Sequence, residues 1–339
     1  MSVELKPIGR GGVRRLTGVQ IVGTGSYLPD KVVTNEDLAA LGCDADWIVQ
    51  RTGIRERRHA PPEIATSDMA VEAGKRAIEA AGINPDQIDL LLLGTLSPDH
   101  LLPATACTVQ DRLGLTCAAM DIGAACAGFL YSLITGMQYI ATGCSDMALV
   151  IGADVNSRVM DPRDKKTYPL FGDGAGAVLL KKGSPEQGML AYTLGADGSG
   201  MELLYRPMGG SRIPFGPEGI EDKLHCVRMD GRPVFKWAIR LLEETSNAVL
   251  TEAKLSLDDV DLWLLHQANT RIIDAAVEAM NIDRSKVVIH LDRYGNTSAG
   301  SVPIAMDESF REGRIERGTT ILMSGFGAGL SWGTAVFRW

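Results

Sequence analysis

Two parts of the chain, 172 residues apart, repeat the same order of elements. The aligned segments are residues 87–93 with 259–265, 126–128 with 298–300, and 147–151 with 319–323. The first and last pairs are apolar runs typical of buried strands, and the middle pair begins helix-like stretches of small residues. One offset shared by three segments in the order strand, helix, strand indicates a duplicated α/β unit.

Amphipathic helices are predicted between the apolar strands, for example over residues 68–81 and 232–253. Strands that alternate with helices predict parallel sheets covered by helices on both faces. Two copies of such a unit predict a layered α/β fold whose two sheets share a central, buried helix layer. We predict an N-terminal extension at residues 1–17, a first half at residues 18–185 and a second half at residues 186–339. An irregular surface loop or lid is predicted at residues 208–221.

Composition excludes several classes of function. The 339 residues are 45% hydrophobic, which predicts a globular protein, and the net charge of −8 argues against general affinity for nucleic acid. No apolar run is long enough for a membrane span or a secretory signal, so we predict a cytoplasmic protein without membrane insertion. The six cysteines show no CxxC pairing and no HExxH motif occurs, so neither a disulfide framework nor a metal is predicted.

Cys126 is the first candidate for chemistry. It lies where a predicted strand passes directly into a helix of small residues. The free N–H groups and the positive end of the helix dipole at such a position stabilise a thiolate, which is the nucleophilic form of cysteine. A lone cysteine in a small-residue helix is nevertheless more often a buried structural residue. Cys126 therefore needs partners before it can be interpreted as a nucleophile.

The repeat supplies two partners. His266 ends a predicted strand of the second half, and Asn296 directly precedes the helix that the repeat pairs with the Cys126 helix. Taken alone, either is more often a structural residue or a turn residue. The repeat places Cys126 and Asn296 at the tops of two related helices that face each other, with His266 at a neighbouring strand end, where α/β sites form.

The segments around these residues resemble a known family. They are residues 23–29, 47–54, 121–129, 171–176, 266–269, 295–298 and 325–329. Over residues 18–339 the chain resembles the β-ketoacyl-acyl-carrier-protein (ACP) synthase III family, the initiating condensing enzymes of type II fatty acid synthesis. The resemblance implies a thiolase-like α/β fold of five layers, αβαβα, with two mixed sheets around a central buried helix layer.

The resemblance also implies an activity. An acyl-CoA primer would be condensed with malonyl-ACP, with loss of CO₂, by a homodimer whose catalytic residues are Cys126, His266 and Asn296. The backbone N–H groups of Cys126 and Ala328 would form the oxyanion hole. Acyl-CoA is then a substrate, and neither a metal nor an organic cofactor is implied.

Further positions match the family's binding residues. Those for coenzyme A are Trp47, Arg51, Lys165 and Phe235, where Lys165 replaces an arginine frequent in the family. Those for the acidic carrier protein are Lys236, Arg271 and Arg232, whereas Arg240 is read as an ordinary solvated charge. Leu102 occupies the position that closes the acyl pocket across the dimer. An aromatic residue there accompanies short straight primers, so leucine suggests branched or longer acyl groups.

Most related functions fit the sequence less well. A degradative thiolase needs a second catalytic cysteine near the C-terminus, yet no cysteine follows Cys226. Elongating condensing enzymes use two histidines, whereas this chain has Asn296 at the position of the second. A hydroxymethylglutaryl-CoA synthase needs a catalytic glutamate, for which we find no counterpart in the sequence. A catalytically silent scaffold is disfavoured because all three reactive residues are present. A homologue from specialised metabolism shares the three residues and stays open as the alternative.

Overall fold

The computed structural model describes residues 12–339. Its strands are β1 (Arg14–Thr17), β2 (Val19–Tyr27), β3 (Val32–Thr34), β4 (Glu56–Arg58), β5 (Leu90–Gly94), β6 (Ala118–Ile122), β7 (Met147–Asp154), β8 (Gly174–Lys182), β9 (Gly188–Ala196), β10 (Leu204–Tyr205), β11 (Arg228–Met229), β12 (Leu262–Leu265), β13 (Thr320–Gly327) and β14 (Ser331–Arg338). Its helices are α1 (Ala45–Thr52), α2 (Thr66–Ala81), α3 (Thr105–Arg112), α4 (Gly128–Thr142), α5 (Pro217–Glu221), α6 (Gly231–Ala253), α7 (Thr270–Met280), α8 (Leu291–Tyr294) and α9 (Ser301–Arg311).

Two five-stranded sheets form the framework. The first has the order β2-β8-β7-β5-β6 and the second the order β1-β9-β14-β13-β12. In the first sheet β5 runs parallel to β6 and β7, whereas β8 is antiparallel to both of its neighbours. In the second sheet only β12 and β13 are parallel. Both sheets are therefore mixed, rather than all parallel as strand–helix alternation alone predicts.

Helices cover the sheets in the predicted layers. The central helices α4 and α9 are buried between the sheets, where side chains such as Leu133 and Val302 pack with strand residues of both halves. Helices α2 and α3 pack on the outer face of the first sheet, and α6 and α7 on the outer face of the second. The five-layered α/β fold with a buried helix layer is confirmed. None of the helices in residues 12–339 has the length and apolarity that crossing a membrane requires.

Glycines allow the central turns to approach the strands. A Cβ atom on Gly94 of β5 would lie 2.5 Å from the carbonyl carbon of Gly128, at the start of α4. A Cβ atom on Gly152 of β7 would lie 2.3 Å from the carbonyl oxygen of Ala299, in the turn before α9. Only a residue without a side chain fits either contact, so these glycines bring the starts of α4 and α9 to the centre of the molecule.

The repeat shifts by one residue along the chain. The starts of β5 and β12 differ by 262 − 90 = 172, but those of β7 and β13 differ by 320 − 147 = 173 and those of α4 and α9 by 301 − 128 = 173. The constant offset of 172 is therefore wrong after the first strand pair, because one more residue separates β12 from α9 than β5 from α4. The residue of the second half that corresponds to Cys126 is Ala299, not Ser298.

The beginning of the chain joins the second sheet. Residues 1–11 of the predicted extension lie outside the described residues, but residues 14–17 form β1, which pairs antiparallel with β9. The guanidinium group of Arg15 also bonds the Glu252 side chain at the end of α6. These four residues are thus an edge strand. The predicted boundary at residue 185 falls in the connection from β8 to β9, and the division into two halves stays a prediction.

Candidate active site

The strand-to-helix passage at the end of β6 carries Cys126. The chain forms a single 3-10 turn, Ala125–Ala127, before α4 begins, and Ala125 adopts a left-handed backbone with φ of 46°. Cys126 itself is 7% exposed. Gly327 of β13 lies beside it: a Cβ atom on Gly327 would be 3.2 Å from the Cys126 sulfur. Glycine at this position therefore leaves space next to the sulfur for a reacting group.

Burial governs the protonation of Cys126. Desolvation raises the pKa of the thiol to about 12, and the nearby carboxylate of Asp154 acts in the same direction. The Ser298 hydroxyl donates a hydrogen bond to the sulfur over 3.3 Å and acts in the opposite direction. Burial thus favours the protonated thiol in the free site and opposes the stabilisation that a helix N-terminus gives a thiolate.

His266 follows β12 and is buried as an uncharged imidazole. Its Nδ1 atom lies 2.7 Å from the Ser301 hydroxyl, and the ring packs edge-on against Phe326. Burial lowers the pKa of His266 to about 3, with a further contribution from His290. If Ser301 is assigned as the donor to Nδ1, the ring proton lies on Nε2, which makes Nε2 a donor for a group in the cavity.

Asn296 is held on both its backbone and its side chain. Its N–H donates to Leu170 over 2.8 Å, and its carbonyl accepts from the N–H of Gly172 over 3.0 Å. The side-chain oxygen accepts from the N–H of Ser298 over 2.8 Å. Because the oxygen is already occupied, the side-chain NH₂ group is left as the donor for a ligand.

One cavity of about 140 Å³ brings the three residues together. Cys126, His266 and Asn296 all line it, together with Phe235 of α6 and Asn269 at the start of α7. The three candidate catalytic residues thus line the same cavity. Their roles in a reaction stay predictions.

A second cavity, of about 180 Å³, also reaches Cys126. It is mostly apolar and is lined by Leu96, Met160, Phe171 and Val227, while Ala328 borders it. Cys126 therefore stands between two cavities. Spacing gave these four apolar residues no predicted role, because they come from separate segments whose apolar character is that of an ordinary core.

The loop after β13 is tied to the Cys126 segment. The Ser331 hydroxyl lies 2.9 Å from the carbonyl oxygen of Ala328 and 3.0 Å from that of Ala124. Ser331 thus connects the two stretches of backbone whose N–H groups are predicted to form the oxyanion hole. Sequence reasoning did not single out Ser331.

Several predicted coenzyme A contacts lie near the first cavity. Phe235 lines it, and the Arg271 guanidinium lies 5.9 Å from the Phe235 ring. Trp47 on α1 is 46% exposed, with the Arg51 guanidinium 5.8 Å from its ring. The Asn269 side chain donates to the Arg51 carbonyl over 3.2 Å, which links α1 to the cavity.

Other predicted residues are placed apart from the cavities. The Lys165 amino group lies 3.5 Å from the Gly42 carbonyl oxygen, shortly before α1. Leu102 is 87% exposed and lines neither cavity, so the structure of one chain does not bring it to the acyl site. The exposed carrier-protein candidates on α6 and α7 are Lys236, Arg232 and Arg271. Arg240 pairs with Glu244 at 3.3 Å, in keeping with a solvated helix charge.

The fold and the site define a class of protein. A duplicated αβαβα fold with a cysteine, a histidine and an asparagine around one central cavity is the architecture of thiolase-like acyltransferases. Two family models match the chain: 3-oxoacyl-ACP synthase III over residues 120–198, and the C-terminal part of the same synthase over residues 250–339.

Comparison with individual proteins identifies the family. A β-ketoacyl-ACP synthase III from Rhodopirellula baltica is 53% identical over 96% of this chain and 99% of its own length. The crystal structure of 3-oxoacyl-ACP synthase III from Aquifex aeolicus is 42% identical, with a TM-score of 0.88 over 95% of this chain and all of that one. The priming β-ketosynthase of a polyketide biosynthetic pathway is 33% identical, with a TM-score of 0.88 over 96% of this chain and 97% of that one. The chain belongs to the β-ketoacyl-ACP synthase III family.

Proposed function

We propose that this protein condenses an acyl-CoA primer with malonyl-ACP and so initiates type II fatty acid synthesis. The observation that carries the proposal is the cavity shared by Cys126, His266 and Asn296 in a member of this family. The enzyme acts in the cytoplasm. It needs no metal or organic cofactor, because the loss of CO₂ itself supplies the carbanion.

The first half-reaction makes an acyl-enzyme. The Cys126 sulfur attacks the thioester carbonyl of acyl-CoA, a new carbon–sulfur bond forms, and the bond to coenzyme A breaks. The proton that Cys126 loses ends on the departing thiol of coenzyme A. The backbone N–H groups of Cys126 and Ala328 hold the oxyanion of the tetrahedral intermediate, in a loop that Ser331 fixes.

The second half-reaction consumes malonyl-ACP. As CO₂ leaves, the thioester becomes an enolate whose oxygen accepts hydrogen bonds from Nε2 of His266 and from the NH₂ group of Asn296. Both groups suit this role because the imidazole is uncharged and the Asn296 oxygen is already bonded to Ser298. The enolate carbon attacks the acyl group, β-ketoacyl-ACP forms, and Cys126 leaves as a thiolate that takes a proton from solvent.

Both thioester substrates approach through the first cavity. Trp47 and Arg51 hold the adenine of coenzyme A, Lys165 attracts a phosphate group, and Phe235 lines the path of the pantetheine arm. The carrier protein binds over α6 and α7, where exposed cations offset the overall negative charge. These cations are Lys236, Arg232 and Arg271.

The second cavity receives the acyl group of the primer. Its volume of about 180 Å³ resembles the ~150 Å³ engineered cavity that binds benzene, so it suits short or branched acyl chains of up to about six carbons. Within one chain its walls are Leu96, Met160, Phe171 and Val227. Leu102 contributes only if a second copy of the chain brings it there.

A homodimer fits two features of the surface. Strand β6 is the edge of the first sheet, so one side of it has no neighbouring strand among residues 12–339. Leu101 and Leu102, in the loop before α3, are 75% and 87% exposed. A second copy over this face covers both leucines and the open strand edge.

One observation favours a second candidate function. The priming β-ketosynthase of a polyketide pathway is 33% identical to this chain and superimposes over nearly its whole length. The same cysteine, histidine and asparagine can load a primer for specialised metabolism. The difference lies in which acyl-CoA is used and which carrier protein accepts the product.

A product assay tests the proposed function. The enzyme is incubated with malonyl-ACP and one of acetyl-, propionyl-, isobutyryl- or octanoyl-CoA, and the carrier protein is then analysed by mass spectrometry. We expect β-ketoacyl-ACP from the short and branched donors, little from octanoyl-CoA, and none with the Cys126→Ser variant. The absence of β-ketoacyl-ACP with every donor contradicts the proposal. Product only with a carrier protein from a polyketide pathway favours the second candidate.

A further inference from the structure

Ser298 contacts two of the candidate catalytic residues at once. It is fully buried in the 3-10 turn Ser298–Gly300, directly before α9. Its hydroxyl donates to the sulfur of Cys126 over 3.3 Å, and its backbone N–H donates to the side-chain oxygen of Asn296 over 2.8 Å. The side chain and the backbone of one residue thus hold two different groups of the site.

The backbone conformation of Ser298 would favour glycine, so the presence of a serine side chain needs another reason. Its φ of 53° lies in the left-handed region, which glycine adopts without strain and other residues adopt at a cost. Glycine would preserve the N–H group that binds Asn296 but would have no hydroxyl for Cys126. The backbone geometry therefore does not require serine at this position. What serine adds is a hydroxyl that donates a hydrogen bond to the sulfur.

The electrostatic surroundings of Cys126 make this donor matter. The titratable and charged groups that share a cavity or a charge interaction with the thiol are Asp154, His266, Tyr205 and Arg206. Asp154 on β7 is buried, accepts from the N–H of Ala299 over 3.1 Å, also hydrogen-bonds the Ser298 hydroxyl, and its charge opposes a thiolate. His266 is uncharged and gives the thiolate no counter-ion. The Ser298 hydroxyl, in contrast, is hydrogen-bonded to the sulfur itself.

We propose that Ser298 is a positioning residue that makes Cys126 reactive, because its hydroxyl donates a hydrogen bond to the thiolate. Its backbone N–H separately orients the Asn296 amide. The proposal rests on the proposed function, in which Cys126 is the nucleophile. Removal of the hydroxyl should slow attack by Cys126 and leave the decarboxylation donors in place, because the N–H group is retained.

Alkylation of Cys126 by iodoacetamide as a function of pH tests the proposal. The rate is followed by mass spectrometry on the peptide that contains Cys126, in the wild type and in Ser298→Ala and Ser298→Gly. We expect both variants to be alkylated about tenfold more slowly at pH 8, because a hydrogen bond to a charged group is lost. Their rate profiles should shift to higher pH, and decarboxylation of malonyl-ACP should stay within about twofold of the wild type.

The variants separate this role from a merely structural one. Ser298→Gly fits the left-handed backbone, so it guards against misfolding of Ser298→Ala. Ser132→Ala is the matched control, since Ser132 is a buried serine on α4 whose hydroxyl has no hydrogen-bond partner among residues 12–339. Its alkylation profile should coincide with that of the wild type.

Two results overturn the proposal. One is an alkylation profile of Ser298→Ala and Ser298→Gly that superimposes on that of the wild type. The other is an equal loss of alkylation and decarboxylation without a shift in pH dependence, which marks a structural effect. Alkylation needs no acyl-CoA. A shifted profile in an enzyme that accepts no acyl donor therefore contradicts the proposed function and supports the role of Ser298.

Discussion

At the scale of single residues, burial acts in opposite directions on the two titratable groups of the site. It raises the pKa of the Cys126 thiol to about 12 and lowers the pKa of His266 to about 3. Both groups are therefore uncharged in the free enzyme at neutral pH. Such a site suits a neutral thioester, and it holds hydrogen-bond donors ready for the negative charge that develops during the reaction.

These two pKa values predict different pH profiles for the two half-reactions. Acylation of Cys126 by acyl-CoA should accelerate by up to about tenfold per pH unit between pH 6 and 9, because the thiolate fraction rises throughout that range. Decarboxylation of malonyl-ACP should be nearly constant over the same range, because His266 keeps its single proton. Rapid-quench measurements of each half-reaction test this. Parallel profiles would contradict the assignment of the two groups.

The amide of Asn296 carries a second prediction at this scale. Asn296→Asp replaces the NH₂ donor by a charged oxygen, so decarboxylation of malonyl-ACP should fall by about a hundredfold or more. Acylation of Cys126 should persist, which shows that the variant folds. Asn247→Asp, on the exposed face of α6, is the matched control. Full decarboxylation by Asn296→Asp would refute the role of the amide.

At the scale of elements, two tight turns bring the site together. The turns before α4 and α9 meet the sheets at Gly94 and Gly152, and β12 and β13 end beside them. Apolar runs and helical periodicity were enough to predict these strands and helices and the related positions of Cys126 and Asn296. The one-residue shift before α9 was not predictable, because an insertion in a turn leaves no periodic signal.

The same limit applies to side chains that act through tertiary contacts. Ser298 and Ser301 look like ordinary small residues of a helix start, and only the folded chain shows that their hydroxyls lie near Cys126 and His266. The apolar patterns likewise did not reveal that the sheets are mixed, which only the family resemblance implied. Strand direction depends on how the chain returns to the sheet, and a single apolar strand does not reveal this.

Helices α6 and α7 carry a prediction about the carrier protein. Lys236→Glu combined with Arg271→Glu should raise the KM for malonyl-ACP by about tenfold at low salt, because an acidic partner loses its attracting charges. Acylation by acyl-CoA should change little. Lys75→Glu, on the exposed face of α2, is the matched control for charge. Equal losses in both half-reactions would show that these residues do not select the carrier protein.

At the scale of the whole molecule, the two predicted halves contribute different residues to one site. Residues 18–185 supply Cys126 and half of the residues that line the second cavity, and residues 186–339 supply the other half together with His266, Asn296 and Ser298. Burial of α4 and α9 between the sheets joins the two sheets into one packed body. The net charge of −8 gives this body no general attraction for an acidic partner, so recognition of the carrier protein has to be local.

The exposed leucines before α3 predict an assembly of two chains. Sedimentation equilibrium should give twice the chain mass of 36.3 kDa at micromolar concentrations. Leu101→Asp combined with Leu102→Asp should shift the protein towards the monomer, because charges would be buried in the contact. A wild type that sediments as a monomer throughout would contradict the homodimer.

The central claim is that Cys126 carries the acyl group between the two substrates. Intact-protein mass spectrometry tests it most directly: the enzyme is mixed with isobutyryl-CoA, its mass is measured, malonyl-ACP is added, and the mass is measured again. The account predicts a gain of one acyl group, its loss after malonyl-ACP is added, and no gain in Cys126→Ser. No acyl group from any donor, or an equal gain in Cys126→Ser, would contradict it.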